Sequence, residues 1–230
     1  MSVIAVAVPA REEVKTKFAS DLVLAVCTHV MTHHDDIVIP LFSEGTILAS
    51  QRTELVKEAI KSGCSHLLFL DSDMRFPGDL ISQLMDSMKT SGEFVVAANC
   101  ARRKIPTGPT AGNVDQNLHK TPVFTTEESF GLEKVDRVGT AVMLIDMKVF
   151  DLLPEPWFAT PWVADKNCFM GEDVYLCHML KRLGVPIVIN HDLSKQIKHI
   201  GSFEFSYEHV SVQCAMEISK AEDKPLVRLQ

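Results

Sequence analysis

The chain has 230 residues, 46% of them hydrophobic and 23% charged, enough to bury the core of one domain more readily than two. A formal net charge of -7 speaks against a sheath of non-specific nucleic-acid contacts, which needs a basic surface. It suits an enzyme that holds an anionic ligand through a metal and a few chosen cations. Six cysteines, Cys27, Cys64, Cys100, Cys168, Cys177 and Cys214, form no C-x-x-C pair and no metal-finger spacing, and read as reduced, mostly buried thiols of a reducing compartment.

Residues 3–8 are an unbroken run of apolar β-formers ended by Pro9, which predicts a strand buried on both faces. No basic region precedes the run and no small-residue cleavage site follows it, so it reads as a first strand rather than a signal peptide. No apolar stretch approaches the roughly 20 residues of a membrane span, and no membrane anchor is expected. A helix follows over 12–31 with Phe18, Leu22, Ala25 and Val26 on one face, then a strand over 37–42. A second helix over 48–61 carries the stripe Leu55, Val56, Ala59 and Ile60, and Gly63 ends it. Residues 66–70 form a third strand, 78–89 a third helix with Leu80, Ile81, Leu84, Met85 and Met88 inward, and 94–98 a fourth strand.

This alternation implies right-handed βαβ crossovers, hence an α/β fold with a mostly parallel central sheet and helices on both faces. Ligands of such sheets bind at the carboxyl ends of the strands. Residues 101–131 show no clear period and read as a long, partly mobile loop, of the kind that is usually a functional lid or disordered. Strand resumes over 135–138 and 141–145, broken at Gly139. A helix over 173–183 carries Val174, Cys177, Leu180 and Leu183 inward, and a strand spans 186–190. His199 and Gly201 fall in a loop, a closing helix covers 205–218, and the tail from Lys220 is polar.

The strongest chemical signal is LLFLDSDMRFP. The apolar strand 66–70 runs directly into Asp71-Ser72-Asp73, placing two carboxylates at the ligand edge of the sheet. Oxygen ligands of this kind suit Mg²⁺ or Mn²⁺, which take one or two carboxylates plus substrate phosphates. The competing reading is a polar turn that caps the next helix. Glu172-Asp173, behind Gly171 and at the start of a helix, is either N-terminal capping or a general base for an acceptor hydroxyl. His199 is a candidate metal ligand through a neutral ring nitrogen. Arg11 and Arg52 are solvated surface residues or cations aimed at a nucleotide. Arg102, Arg103 and Lys104 read as a solvated run, with a grip on a diphosphate as the alternative. Gly139 marks a bulge or a close backbone approach. Trp157 and Trp162 either stack on a sugar or base or pack a loop onto the core.

In order and spacing, PAR, SQRTELV, LLFLDSDMRFP, VGTAVMLI, GEDVYLCHMLKRLGVPIVI and KHIG resemble the GT-A class of glycosyltransferases, in particular its small family-2-like members from bacteria and phages. The resemblance runs from about residue 3 to 205. It implies a Rossmann-like GT-A fold with a nucleotide-binding half at 1–100, the loop 101–131, an acceptor half at 132–219 and a tail at 220–230. It also implies a metal-dependent transfer of a sugar from a UDP- or GDP-sugar to a hydroxyl acceptor, with inversion. By the match, Asp73, Asp71 and His199 hold Mn²⁺ or Mg²⁺, and Asp71 with Ser72 contacts the ribose. Pro9, Ala10, Arg11 and Arg52 contact the nucleotide, and Gly139 and Thr140 pass close to donor and acceptor. Asp173 is the base, with Glu172 beside it. The acceptor is a glycan, a protein or a hydroxylated DNA base, and the setting a cytoplasm, the host's for a phage-encoded chain. The alternatives are a nucleotidyltransferase, which PAREE fails to support because it is no glycine-rich phosphate loop, and a binding module that keeps the fold without the chemistry.

Overall fold

The computed structural model describes residues 1–114, 120–201 and 204–222. Strand and helix alternate as the hydrophobic periods predict, β1 (Val3–Ala10), α1 (Thr16–Thr32), β2 (Ile37–Glu44), α2 (Leu48–Lys61), β3 (His66–Leu70), α3 (Leu80–Ser91) and β5 (Val95–Ala97), with an unpredicted two-residue β4 (Met74–Arg75) between β3 and α3. The rest of the described chain adds β6 (Gly112–Val114), β7 (Lys120–Pro122), β8 (Leu132–Val135), β9 (Val142–Asp146) and α4 (Lys148–Leu152). Then come β10 (Trp162–Val163), β11 (Cys168–Phe169), α5 (Glu172–Arg182), β12 (Ile187–Asn190), α6 (His191–Ser194), β13 (Lys198–Ile200), β14 (Glu204–Phe205) and α7 (Tyr207–Glu222).

Seven strands form one sheet in the order β2-β1-β3-β9-β5-β12-β8. β1 pairs in parallel with β2 and β3, and β5 with β12; β9 runs antiparallel between β3 and β5, and β8 antiparallel on β12. Five strands therefore share one direction. β9 comes from the second half of the chain and lies between two strands of the first, so a single sheet joins both halves. Alternate residues of one strand feed opposite faces: Ala5, Ala7, Leu67 and Phe69 pack with Leu55, Val56 and Ala59 of α2 and Leu176, Cys177 and Leu180 of α5. Ile4, Val6, Val8, Leu68 and Leu70 pack with Phe18, Leu22 and Ala25 of α1 and Leu80, Ile81 and Leu84 of α3. Burial on both faces is the physical reason these strands are apolar without interruption.

Several expectations shift. α1 starts at Thr16 rather than near 12, because the loop before it turns toward the site, where the Lys15 N–H donates to the Ser72 carbonyl at 3.4 Å. The described part of 101–131 is braced rather than patternless: Ala101 bridges Pro109, β6 pairs with β7, and Gly112 bridges Arg137. Residues 115–119 of that loop and 223–230 of the expected tail lie outside the described residues. β8 ends at Val135, short of the expected 138, as the chain leaves the sheet to make that Arg137 bridge. Ile60 and Leu183, expected inward, are about half exposed at 50% and 45%. Of the six thiols only Cys64, Cys100 and Cys177 are buried. No helix among the described residues is long and apolar enough to cross a membrane.

Candidate functional site

The site lies at the carboxyl ends of β1 and β3, where the chain must leave the sheet. After Leu70 the Asp71 N–H donates to the Ala141 carbonyl at 3.0 Å, and the Met74 N–H returns to the Asp71 carbonyl at 3.1 Å, closing a turn. That turn separates the two carboxylates of Asp71-Ser72-Asp73 and sends them to different partners.

Asp71 faces Arg52. Arg52 is 1% exposed. Its Nη2 donates to Asp71 Oδ1 at 2.8 Å, its Nε stands 3.5 Å from Glu172 Oε1, and its plane lies 5.3 Å from the Phe69 ring centre. Arg52 is therefore neither a solvated surface residue nor an exposed arm. It ties the end of β3 to the start of α5. Its Nη1 has no hydrogen-bond partner among the described residues, an uncommon state for a buried donor. Burial raises the Glu172 carboxyl above its ordinary range; Asp173 and Asp71 add to this, and the Arg52 charge opposes it.

Asp73 faces His199 and Arg103. β13 lies antiparallel to β4 with His199 opposite Met74, and the Ile200 N–H donates to the Asp73 carbonyl at 2.7 Å. His199, expected in a loop, is thus positioned by strand pairing. Its Nε2 is 3.2 Å from Asp73 Oδ1, and its Nδ1 is 3.1 Å from the Ala101 carbonyl. A carbonyl and a carboxylate both only accept, so in the metal-free protein Nδ1 donates to the Ala101 carbonyl and Nε2 donates to Asp73. Asp73 Oδ2 accepts from Arg103 Nη1, which also reaches the Ile200 carbonyl at 3.4 Å. Burial alone would push the Asp73 carboxyl up, but the hydrogen bond and charge of His199 and the charge of Arg103 outweigh it and hold the carboxyl low. His199 moves the opposite way: burial disfavours its charged form, yet Asp73 and the Ala101 carbonyl raise its pKa above the ordinary value of 6.5.

The acidic pair behind Gly171 divides in two. Glu172 looks into the site toward Arg52, while Asp173 Oδ1 accepts the N–H of Val174 at 2.7 Å in the first turn of α5. A Cβ on Gly171 would sit 2.7 Å from Asp173 Oδ1. The space beside the glycine is thus occupied by the pair's own carboxylate. At Gly139 a Cβ would stand 3.3 Å from Thr110, a close approach of the chain to that side chain. Thr140 next to it is buried with a hydroxyl that has no partner among the described residues.

Pro9 and Ala10 end β1 in the buried layer, and Arg11 is exposed beyond them. Gln51, which sequence reasoning passed over, is 5% exposed and donates to the carbonyls of Ala10 and Ser43 at 2.5 and 3.0 Å, tying the ends of β1 and β2 together. A second buried polar group escaped notice. Asn99 donates to Thr125 Oγ1 at 3.1 Å, Thr125 meets His191 Nδ1 at 2.9 Å, and His191 Nε2 meets Glu133 at 2.9 Å, an arrangement that pins the chain at Thr125 to the sheet. Trp157 is core, donating from Nε1 to the Leu153 carbonyl at 3.1 Å; Trp162 is 52% exposed and packs edge-on to Phe169, ring centres 5.1 Å apart.

The chemistry of the donor set fits a divalent ion at Asp73 and His199. One carboxylate and one imidazole converge, and the imidazole's far nitrogen is already committed to a carbonyl, the arrangement that orients metal-bound histidines. Two protein ligands suit an ion that completes its shell from substrate phosphates. Asp71 is turned to Arg52, and no group of three or more His, Cys, Asp or Glu side chains able to hold a metal occurs among the described residues.

No protein-family profile matches the chain, and no curated protein matches it by sequence. Solved structures do match by shape. The crystal structure of A197 from STIV aligns with a TM-score of 0.59 at 17% identity, over 91% of this chain and 92% of that one. The structure of GalNAc-T7 with UDP, GalNAc and Mn²⁺ aligns with a TM-score of 0.54 at 10% identity, over 83% of this chain and 42% of that one. At these identities the likeness concerns architecture: the chain has an α/β, glycosyltransferase-like GT-A fold.

Proposed function

We propose that the protein is a divalent-metal-dependent glycosyltransferase that transfers a sugar from a UDP- or GDP-sugar to a hydroxyl acceptor with inversion. The observation that carries the reading is the pairing of β4 with β13, which sets His199 against Asp73 at the ligand edge of a GT-A-like sheet. The UDP and Mn²⁺ in the GalNAc-T7 structure support this class of donor and metal.

Asp73 and His199 are the residues that would hold Mn²⁺ or Mg²⁺. Bound there, the ion supplies neutralisation of the charge that develops on the leaving diphosphate. Arg52 holds the Asp71 carboxylate toward the donor ribose, with Ser72 beside it. Pro9, Ala10 and Arg11, steadied by Gln51, face the nucleotide, and the buried hydroxyl of Thr140 adds a polar contact near the sugar. Asp173, with Oδ1 held by its own helix, uses its second oxygen to take the acceptor proton. A single displacement with that base inverts the anomeric centre. Glu172, tied to Arg52, couples the donor and acceptor sides. The exposed Trp162–Phe169 pair on the hairpin leading to Gly171 offers an apolar face to an acceptor ring.

The test measures thermal stabilisation and hydrolysis of a panel of nucleotide-sugars, with and without Mn²⁺, for wild type and Asp73→Ala. One donor should stabilise the wild type only with metal, and Asp73→Ala should abolish the effect. Absence of nucleotide-sugar binding, or binding indifferent to metal and to Asp73, rejects the reading.

A further inference from the structure

The segment from Ala101 to Pro109 is a closed loop with its own internal bracing. Ala101 bridges Pro109, the Arg102 N–H donates to the Gly108 carbonyl at 2.9 Å, and the Thr107 hydroxyl donates to the Arg102 carbonyl at 2.7 Å. The three cations at its start do different things. Arg102 lies over its own loop, so near that a Cβ on Gly108 would be 2.7 Å from its guanidinium. Lys104 is exposed. Among the described residues, Arg103 is the one of the three seen to reach out of the loop, to Asp73 Oδ2 and the Ile200 carbonyl. The loop is also rooted at the same place, because Ala101 supplies the carbonyl that orients His199 and packs against Val210 of α7. A guanidinium therefore stands on the carboxylate assigned above to the metal, while remaining 50% exposed.

We propose that Arg103 is a tethered counter-cation that is exchanged for the metal and then binds the donor's diphosphate. In the free protein it balances Asp73 and keeps the carboxylate beside His199. A divalent ion takes its place on Asp73, and the released guanidinium, still held at the site by its braced loop, pairs with the diphosphate that arrives with the ion. Guanidinium geometry suits phosphate oxygens as well as carboxylate oxygens, so the exchange leaves neither charge unpaired. Arg103 is thus a donor-binding residue whose cost is borne by metal affinity in the absence of nucleotide. The inference rests on the metal-dependent reading of Asp73 and His199.

The experiment measures Mn²⁺ binding by electron paramagnetic resonance and UDP binding by calorimetry, on wild type, Arg103→Ala, Arg103→Lys, Lys104→Ala and Asp73→Ala. Arg103→Ala should bind Mn²⁺ alone about fivefold more tightly than wild type, the scale of one partly exposed ion pair. The same variant should bind UDP with saturating Mn²⁺ about tenfold more weakly. Arg103→Lys should fall between, and Lys104→Ala should match wild type in both. Mn²⁺ affinity that depends on Asp73 but is the same with and without Arg103 overturns the exchange and leaves the metal reading standing. Mn²⁺ binding that is undetectable in every protein, with or without UDP, overturns both.

Discussion

At the scale of single residues, Arg52 shows how a pattern can be visible and still be misjudged. It precedes Leu55, Val56 and Ala59 by three, four and seven positions, which on a helix is the buried face. The helical stripe thus placed its guanidinium inward, and only its charge suggested solvent. Replacing it strands two part-buried carboxylates, so Arg52→Ala should cost about 3–5 kcal/mol in urea unfolding. A loss under about 1 kcal/mol would mean that Asp71 and Glu172 do not depend on it. The Asp73–His199 pair predicts a pH dependence. Because the folded Asp73 pKa is depressed, its contribution to stability is complete above the ordinary 3.8 and is lost as pH falls through the lower folded value. The folded His199 pKa is raised, so its contribution is complete below 6.5 and is lost as pH rises through the higher folded value. His199→Gln should therefore destabilise the metal-free protein more at about pH 5.5 than at about pH 8.5. A penalty that is equal at the two pH values, read from thermal melts, contradicts the ion pair.

At the scale of elements, the fold was mostly legible and the site only partly. The expected bounds of α2 and β3 match the structure residue for residue, because apolar stripes of period 3.6 and short apolar runs bounded by turn residues come from local burial. β4 and β13 were not legible. Each is two or three residues long, and neither has a period; they exist because they find each other across the chain. Their pairing places His199, so disturbing it should disturb the metal site before the core. Ile200→Pro removes the N–H that donates to the Asp73 carbonyl, and should abolish Mn²⁺ binding while leaving the far-ultraviolet circular dichroism spectrum unchanged. Retained Mn²⁺ affinity in a folded Ile200→Pro protein would show that strand pairing does not position the histidine. Gly171 is a related case. A glycine before an acidic pair was readable as a sign of close approach, but its occupant, the Asp173 carboxylate, is a matter of three-dimensional placement.

At the scale of the whole molecule, charge and topology bear on partners. With a net charge of -7, the protein should show no measurable affinity for duplex DNA lacking hydroxylated bases at about 0.15 M salt in an anisotropy titration. Micromolar binding with a steep salt dependence would instead point to a local basic groove and bring DNA forward as the acceptor. By itself the sequence determined the order of the longer strands and helices of the first hundred residues, most of the faces they bury, and the arrival of Asp71 and Asp73 at the carboxyl edge of a sheet. Those properties follow from hydrophobic period and turn chemistry, which act over a few residues. Only the tertiary structure decided that β9 runs antiparallel between β3 and β5, that Asp71 turns to Arg52 while Asp73 turns to His199, and that Arg103 reaches Asp73. Each of these joins residues far apart in the chain, and contacts of that kind form by geometry and charge pairing that no local pattern encodes.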